Sequence, residues 1–463
     1  MNTKDIIADL QLHSRFSRAV SKAMTIQNID YWARKKGIGL VATGDWTHPL
    51  WLAEIEKDLE EMGNGLLQLK KSEVLETGVH TETATPSPLF MLATEVSSIY
   101  KQDGKVRRVH TLIWVSSLAC AAKIAKEMTK RGCNLLSDGR PIIGLTSIQV
   151  AELVFSIDPN ALIIPAHAWT PWFAVFGSMS GFDSLSQAFG SYADRIYAVE
   201  TGLSSNPAMN WRIKELDNRS IVSFSDAHSG AKLGREATIF RFPDGKISFD
   251  GIAQALKNVK RDIKKPHIAY TLEFYPDEGK YHYTGHRVCG VRYTPEEVEK
   301  RGTTCPVCGK PLTGGVMHRM NQLATRTEKD IAVEKLRGSL FPIEATLYGS
   351  SKLKHRPPFA MLVPLMEIIA EVIGSPVTSP KVERVYVKLL QEIGPDFFVL
   401  LNASLSEIEK SAGSMIAEGV DRVRKGDIFI DPGFDGVFGI VKIWKSHEGG
   451  LVSRAKEQLT LLK

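Results

Sequence analysis

Apolar residues in the first half of the chain gather into short runs, each followed by a longer stretch with helical spacing of apolar and polar positions. The runs predict strands over 5–10, 39–43, 89–94, 109–115, 162–166, 195–199 and 220–225. Between them the pattern predicts helices over 29–36, 51–62, 118–131 and 207–217. The last of these opens on Ser205, Asn206 and Pro207, a sound helix start. Strands alternating with helices predict an α/β fold whose parallel sheet is either open or closed into a barrel.

Composition interrupts that rhythm twice. Residues 63–88 are polar and carry Gly63, Gly65, Gly78, Pro86 and Pro88, which reads as an excursion from the barrel facing substrate. From Pro266 to about Leu323 the chain turns to Tyr, His, Gly, Cys and Pro, as in a small metal-stapled module. The remainder reads as helices with a glycine-punctuated β segment over 427–444. At 463 residues the chain exceeds one ordinary core. The expected division is a barrel over 1–265, a zinc-binding module over 266–325 and a mainly helical C-terminal domain over 326–463.

No apolar run is long enough to span a bilayer, and the first ten residues lack a signal-peptide layout. The expectation is a cytoplasmic protein with no membrane partner. A net charge of +6 leans only slightly toward polyanions. Clusters at Arg15, Arg18 and Lys22, at Arg107 and Arg108, and over 257–265 strengthen it, although solvated helix faces explain many of these residues. Of the five cysteines, Cys120 and Cys133 read as buried thiols. Cys289, Cys305 and Cys308 cluster, and an odd count with a CxxC argues for metal rather than disulfides.

Chemistry-bearing residues follow nearly every strand. Asp9, Gln11 and His13 follow the first, Asp45 and His48 the second, and Glu95 the third. His110 lies near the start of the fourth, His167 ends the fifth, Glu200 the sixth, and Asp226 and His228 the seventh. In barrels of this type the C-terminal strand ends converge on one face. Singly, His110 reads as a structural histidine and Asp45 or Asp226 as a helix cap. Together they predict a multi-metal site: mixed His and carboxylate ligation suits Zn, Mn or Fe, and a carboxylate-rich subset suits Mg. Two or three such ions can generate a hydroxide and neutralise a transferring phosphoryl group.

His286-x-x-Cys289 and Cys305-x-x-Cys308, with 15 residues between them, match a two-knuckle zinc ribbon, with Gly290 and Gly309 closing each knuckle. His282 is the alternative fourth ligand. A closed four-ligand site of this kind is structural, and its place in the chain makes the module a candidate DNA clamp.

The stretches DLQLHSRFSRAVSK, TGDWTHP, ATEVSSIYK, PAHAWTPWF, GSMSGFDS, ETGLSSNPAMNW and SDAHSGAKLGRE resemble the polymerase and histidinol phosphatase (PHP) superfamily of metal phosphoesterases. With GHRVCGV, CPVCGKPL and DPGFDGVFGIVKI, the resemblance extends nearly end to end to the endonuclease Q family. It implies a distorted (β/α)7 barrel with a small zinc-ribbon-like module and a mainly helical C-terminal domain. It also implies metal ligands at His13, Asp45, His48, Glu95, His110, His167, Asp226 and His228, with Asp45, Asp226 and His228 at the chemistry. Asp9 would support the first ligand, and Glu200 would stand behind the ligands or face substrate. The superfamily has His-x-His after the first strand; here Gln11 replaces the first His, which puts a three-metal count in doubt.

The implied activity is DNA repair: hydrolysis of the phosphodiester 5′ of hypoxanthine, uracil, xanthine or an abasic site, leaving 3′-hydroxyl and 5′-phosphate ends. Mg or Mn would serve catalysis, with zinc in the ribbon and in the catalytic site. Damaged DNA, double- or single-stranded, is the implied partner, with a replication sliding clamp or other repair proteins beside it, in the cytoplasm with the nucleoid. Such a target is reached by flipping the nucleotide out. Trp169, Trp172 and Phe173, with Ser204, Ser205 and Asn206, are the candidate pocket walls, lid packing being the equal alternative. Arg422, Arg424, Lys425 and residues 431–436 would either touch the sugar-phosphate backbone or serve packing. The competing readings are a small-molecule phosphatase, a catalytically degraded DNA-binding protein and an exonuclease.

Overall fold

The computed structural model describes residues 3–79, 86–336 and 343–445. Residues 80–85 of the expected excursion, and 337–342 and 446–463 of the expected C-terminal domain, lie outside the described residues.

Seven strands form where the apolar runs predict them: Lys4–Asp9, Leu40–Ala42, Leu89–Gln102, Lys105–Val115, Leu162–Pro165, Ala198–Glu200 and Ser220–Val222. The first three lie side by side and parallel. The fourth departs from the expected parallel order. Leu89–Gln102 turns through Asp103 and Gly104, both at positive φ (51° and 73°), and Lys105–Val115 returns antiparallel. An Asp-Gly pair in that conformation is a two-residue hairpin turn whose twist suits the flanking strands. Leu162–Pro165 then runs antiparallel to the returning strand, and Ala198–Glu200 and Ser220–Val222 pair in parallel.

Two bridges close the ring. Ala168 N–H donates to Glu200 O (3.0 Å), and Leu12 pairs with Ala227, where His13 N–H donates to Ala227 O (3.0 Å). The result is a distorted seven-stranded barrel with one reversed strand. Because the fourth strand runs backward, its N-terminal half lies at the mouth, which brings His110 there. Glu95 and His110 both sit inside long strands rather than at strand ends, opposite Leu112 and Ser97.

Helices cover the barrel with good local chemistry. Ile26–Lys36 starts at Thr25, whose hydroxyl accepts Asn28 N–H, and stops at left-handed Gly37. Ser147–Ile157 opens on a Thr146/Gln149 capping box. The helix expected over 51–62 is shorter, Pro49–Asp58, because Leu59–Glu61 leaves it to form a hairpin with Leu67–Leu69. That hairpin pairs with the opening residues of Leu89–Gln102, so the 63–88 excursion begins at the end of the barrel away from the mouth. The helix expected over 207–217 stops at Trp211 and continues as a 3-10 turn, Lys214–Asn218.

The sheet does not end with the barrel. Ala237–Phe242 pairs with the first strand, His267–Glu273 pairs with it in turn, and Phe359–Met361 follows. Trp46, Trp51, Trp114, Trp169 and Trp211 are fully buried in the core. At about 25 cal/mol per Å² of apolar surface, each contributes several kcal/mol. The module that follows has only a small core of its own, Val291, Tyr293, Val298, Cys305 and Leu312.

Helices Leu365–Ile373, Pro380–Glu392, Leu405–Ala412 and Ser414–Lys425 dominate the C-terminal part, as expected, and a hairpin of Phe429–Asp431 with Ile440–Lys442 follows. Among the described residues no helix is long and apolar enough to cross a membrane.

Candidate metal centre

His13 is buried at the barrel mouth. Its Nδ1 lies 2.9 Å from Asp45 Oδ1, and its Nε2 faces Glu95 Oε2 and Asp226 Oδ1, each at 3.2 Å. The second Asp45 oxygen accepts Ser14 N–H (2.6 Å), Ser14 Oγ (2.7 Å) and Ser17 Oγ (2.8 Å). Both oxygens are thus engaged, and Asp45 orients His13. Asp45, His167 and Asp226 have φ of 42°, 30° and 48°. Left-handed backbone costs a non-glycine residue of order 1 kcal/mol or more, and it persists where surrounding structure enforces it.

Glu95 stands between two groups. Its Oε2 accepts Gln11 Nε2 (2.8 Å) and faces His13; its Oε1 lies 2.5 Å from His110 Nδ1 and 3.4 Å from His167 Nε2. Ligand atoms of His13, Asp226 and His228 lie within 4.8 Å of one another, and so do those of Glu95, His110 and His167. Glu95 Oε1 and Asp226 Oδ1 are buried without a hydrogen-bond partner among the described residues. Buried anionic oxygens facing imidazoles, lacking donors of good geometry, fit divalent cations.

The electrostatics agree. Burial works against the Glu95 charge, yet His110, Arg140 and His13 hold its carboxyl well below the usual range. Burial brings His110 down to about 4 against the pull of Glu95, so its imidazole is neutral at neutral pH, the form that ligates metal.

Other expected residues take different places. His48 begins the helix Pro49–Asp58, stacked on Phe16 at 4.5 Å, outside both groups. Asp9 does not reach His13. It accepts Ser225 N–H (3.0 Å), Ser225 Oγ (2.5 Å) and Gly234 N–H (2.9 Å), fastening the loop that carries Asp226, and burial raises its pKa to about 6. Glu200 is fully buried and accepts the His167 N–H (2.7 Å), behind the ligands. Burial, then the charges of Asp226, Glu95 and Asp9, push its pKa well up, against the His167 hydrogen bond. Gly202 at φ 58° lets this turn pass His167: a Cβ there would lie 2.3 Å from the His167 Cβ.

Sequence reading missed Arg140, whose Nη1 reaches His13 Nε2 (3.4 Å) and Glu95 Oε1 (3.6 Å). It also missed Glu236 and Glu273, buried beside the C-terminal end of the first strand among Thr201, Ser223 and Thr271. The signals were available: an Asp138-Gly139-Arg140-Pro141 turn after a helix, and lone carboxylates inside apolar strand patterns.

A third group gathers His286, Cys289, Cys305 and Cys308, again within 4.8 Å. Cys308 Sγ lies 3.4 Å from His286 Nδ1. The Cys305 thiol falls to about 6: burial opposes this, but Cys308 and Val307 amides and His286 outweigh it. His282 lies outside, its Nδ1 on Pro276 O (3.0 Å) and its Nε2 3.5 Å from Asp277.

The expected pocket walls divide. Trp169 is fully buried, donates to Asn210 Oδ1 (2.8 Å) and packs on Phe176, so it is core and offers no face to a base. Ser205 is likewise buried, donating to Thr201 O (2.9 Å). Phe173 lies against His110 at 4.8 Å. Trp172 packs edge-on to Tyr281 at 5.4 Å, and Ser204 is half-buried. Asn206 lines a cavity of about 600 Å³ together with Arg212, Tyr275, Asp277, Tyr348 and Phe359. Arg424 is buried, donating to Leu400 O, Val399 O and Ala403 O, while Arg422 donates to Ile443 O and Lys425 pairs with Asp421. The first of these serves packing rather than a sugar-phosphate backbone. Residues 431–436 reach the zinc-type module instead, through Asp431 with Arg292 and Asp435 with Arg287 N–H.

Residues 364–427 match the MJ0043 C-terminal domain family. The protein MJ0043 of Methanocaldococcus jannaschii is 29% identical over 301 residues, covering 64% of this chain and 33% of that one, so this chain spans about a third of that relative's length. The lesion-specific endonuclease PfuEndoQ from Pyrococcus furiosus superposes with a TM-score of 0.76 at 29% identity, covering 97% of this chain and 99% of that one. An endonuclease Q structure, solved with a 27-mer duplex bearing an abasic lesion at the active site, superposes at 0.75 with 30% identity over 96% and 97% of the two chains. From barrel mouth to C-terminal helices the likeness is continuous, and the chain belongs to the endonuclease Q family.

Proposed function

We propose that this chain is a metal-dependent endonuclease that cuts damaged DNA on the 5′ side of hypoxanthine, uracil, xanthine or an abasic site, leaving 3′-hydroxyl and 5′-phosphate ends. The observation that carries the reading is Glu95, one carboxylate shared by two His-containing ligand groups at the barrel mouth. Bound divalent cations, Mg or Mn with zinc, would stabilise charge on the scissile phosphate and supply a nucleophilic water at neutral pH.

The chain's own residues do the positioning. Asp45 accepts from His13 Nδ1 and so turns Nε2 toward the centre. Gln11 fixes Glu95 from one side, and Glu200 holds the His167 backbone from behind. His13, Asp226 and His228 form one face and Glu95, His110 and His167 the other, and a phosphodiester laid between them meets both. Extruding a nucleotide costs a few kcal/mol, less where pairing is already weak, which favours deaminated and abasic positions. The cavity beside Asn206, with the half-buried Tyr348 on its wall, is the candidate place for the extruded base. The ribbon-type module holds zinc and, in this reading, clamps the duplex. The lesion-bearing duplex in the related structure supports the same class of substrate.

The test uses end-labelled duplexes carrying one deoxyinosine, one deoxyuridine or one abasic site, with Mg or Mn. One incision 5′ of the lesion, lost in Asp226→Ala, is expected. A ladder of products, turnover of a free phosphomonoester without DNA cleavage, or tight binding with no cut would each overturn it.

A further inference from the structure

Arg140 is built into the centre by a loop that is fastened on both sides of it. Gly139 N–H donates to Phe16 O (3.1 Å), Thr47 Oγ1 lies 3.5 Å from Gly139 O, and Ser97 N–H donates to Pro141 O (3.0 Å). Asp138 caps the Arg140 N–H (3.1 Å) and pairs with Arg18. Gly139 must be glycine for this approach, since a Cβ would lie 2.3 Å from Asp45 Oδ2 and 2.4 Å from Ser17 Oγ. The segments that follow the first and second strands, and the third strand itself, thus all hold the loop, and the side chain it presents runs inward.

The guanidinium meets two particular atoms, His13 Nε2 at 3.4 Å and Glu95 Oε1 at 3.6 Å. These are the atoms through which His13 and Glu95 would hold cations. Gln11 meanwhile spends its amide nitrogen on Glu95 and adds no charge. Arginine cannot be deprotonated in a protein and is a permanent positive charge. With the carboxylates of Asp45, Glu95 and Asp226 around one mouth, it offsets part of their mutual repulsion.

We propose that Arg140 is a resident cation of the centre, its guanidinium holding the place beside His13 and Glu95 that a further divalent ion would otherwise take. The inference deepens the metal-centre reading above and rests on it. It makes Arg140 a positioning residue that limits how many ions, and how tightly, the barrel binds.

The experiment is calorimetric titration of Mn²⁺ into the full chain stripped of catalytic metal, for wild type, Arg140→Gln and Arg140→Lys, with thermal melting in chelator alongside. Arg140→Gln should bind Mn²⁺ at least tenfold more tightly or take up one ion more, while Arg140→Lys stays near wild type. Its melting temperature in chelator should fall and be restored by Mn²⁺, so a variant that folds poorly without metal still reports. An Arg140→Gln isotherm that is unchanged or weaker, or a loss of stability that Mn²⁺ does not restore, overturns the proposal. Neither readout needs DNA cleavage, so failure of the nuclease assignment would show separately.

Discussion

Glu95 concentrates the chemistry at the residue scale because its two oxygens face different imidazoles. Glu95→Gln keeps the shape but halves the acceptor capacity and removes the charge. Incision should fall by roughly a thousandfold or more with the melting temperature little changed in metal-free buffer. Asp45→Asn leaves the ligands in place and loosens His13, so metal affinity and rate should drop about 10–100-fold, read by calorimetry and gel assay. Gly139→Ala forces a Cβ onto Asp45 Oδ2 and should lose activity, whereas Gly144→Ala, with open space around it, should not. Most of these side chains were legible because Asp, Glu and His placed just after apolar runs are costly unless they meet something. Arg140 was not, since an arginine in an Asp-Gly turn looks like any solvated loop residue until the fold shows where the loop is fastened.

Elements explain why some expectations moved. The fourth strand was read as parallel although Asp103-Gly104 is a hairpin signal in plain sight, and reading that pair would have placed His110 at the mouth directly. The strands Ala237–Phe242 and His267–Glu273 bring Glu236 and Glu273 together at the mouth end of the first strand. Burial raises Glu273 to about 7 against hydrogen bonds from Ser223 and Thr271, and burial with the Glu273 charge raises Glu236 well above the usual range. A carboxyl raised above its unfolded value near 4.5 stabilises the fold while protonated. That contribution is complete below the unfolded value and is lost as pH rises through about 7. Melting temperature should therefore fall between roughly pH 5 and pH 8, and Glu273→Gln should flatten the fall. A steeper fall in the variant would contradict this. In the helical part, Arg424→Met strips donors from three carbonyls and should destabilise that unit by about 3 kcal/mol in a denaturant titration.

Across the whole molecule the sheet runs from the barrel through His267–Glu273 to Phe359–Met361, so the mouth and the C-terminal helices share one framework. Composition alone marked a change of character near Pro266, but the pairing of strands distant in sequence cannot be read from periodicity, which carries only local information. The ribbon-type module is the opposite case: two knuckles of fixed spacing announce their partners, and His286, Cys289, Cys305 and Cys308 do meet. With so small a core, a module of this kind would draw its stability from a bound ion. Cys308→Ser should expose that module to proteolysis and weaken DNA binding while leaving Mn²⁺ uptake by the barrel unchanged, seen by limited digestion and calorimetry. The shared Glu95 is the point on which the account stands. Crystals of the full chain soaked in Mn²⁺ and measured at the manganese edge should show two anomalous peaks about 3.5–4 Å apart, one on each side of Glu95. A lone peak, or peaks that leave Glu95 untouched, would contradict it.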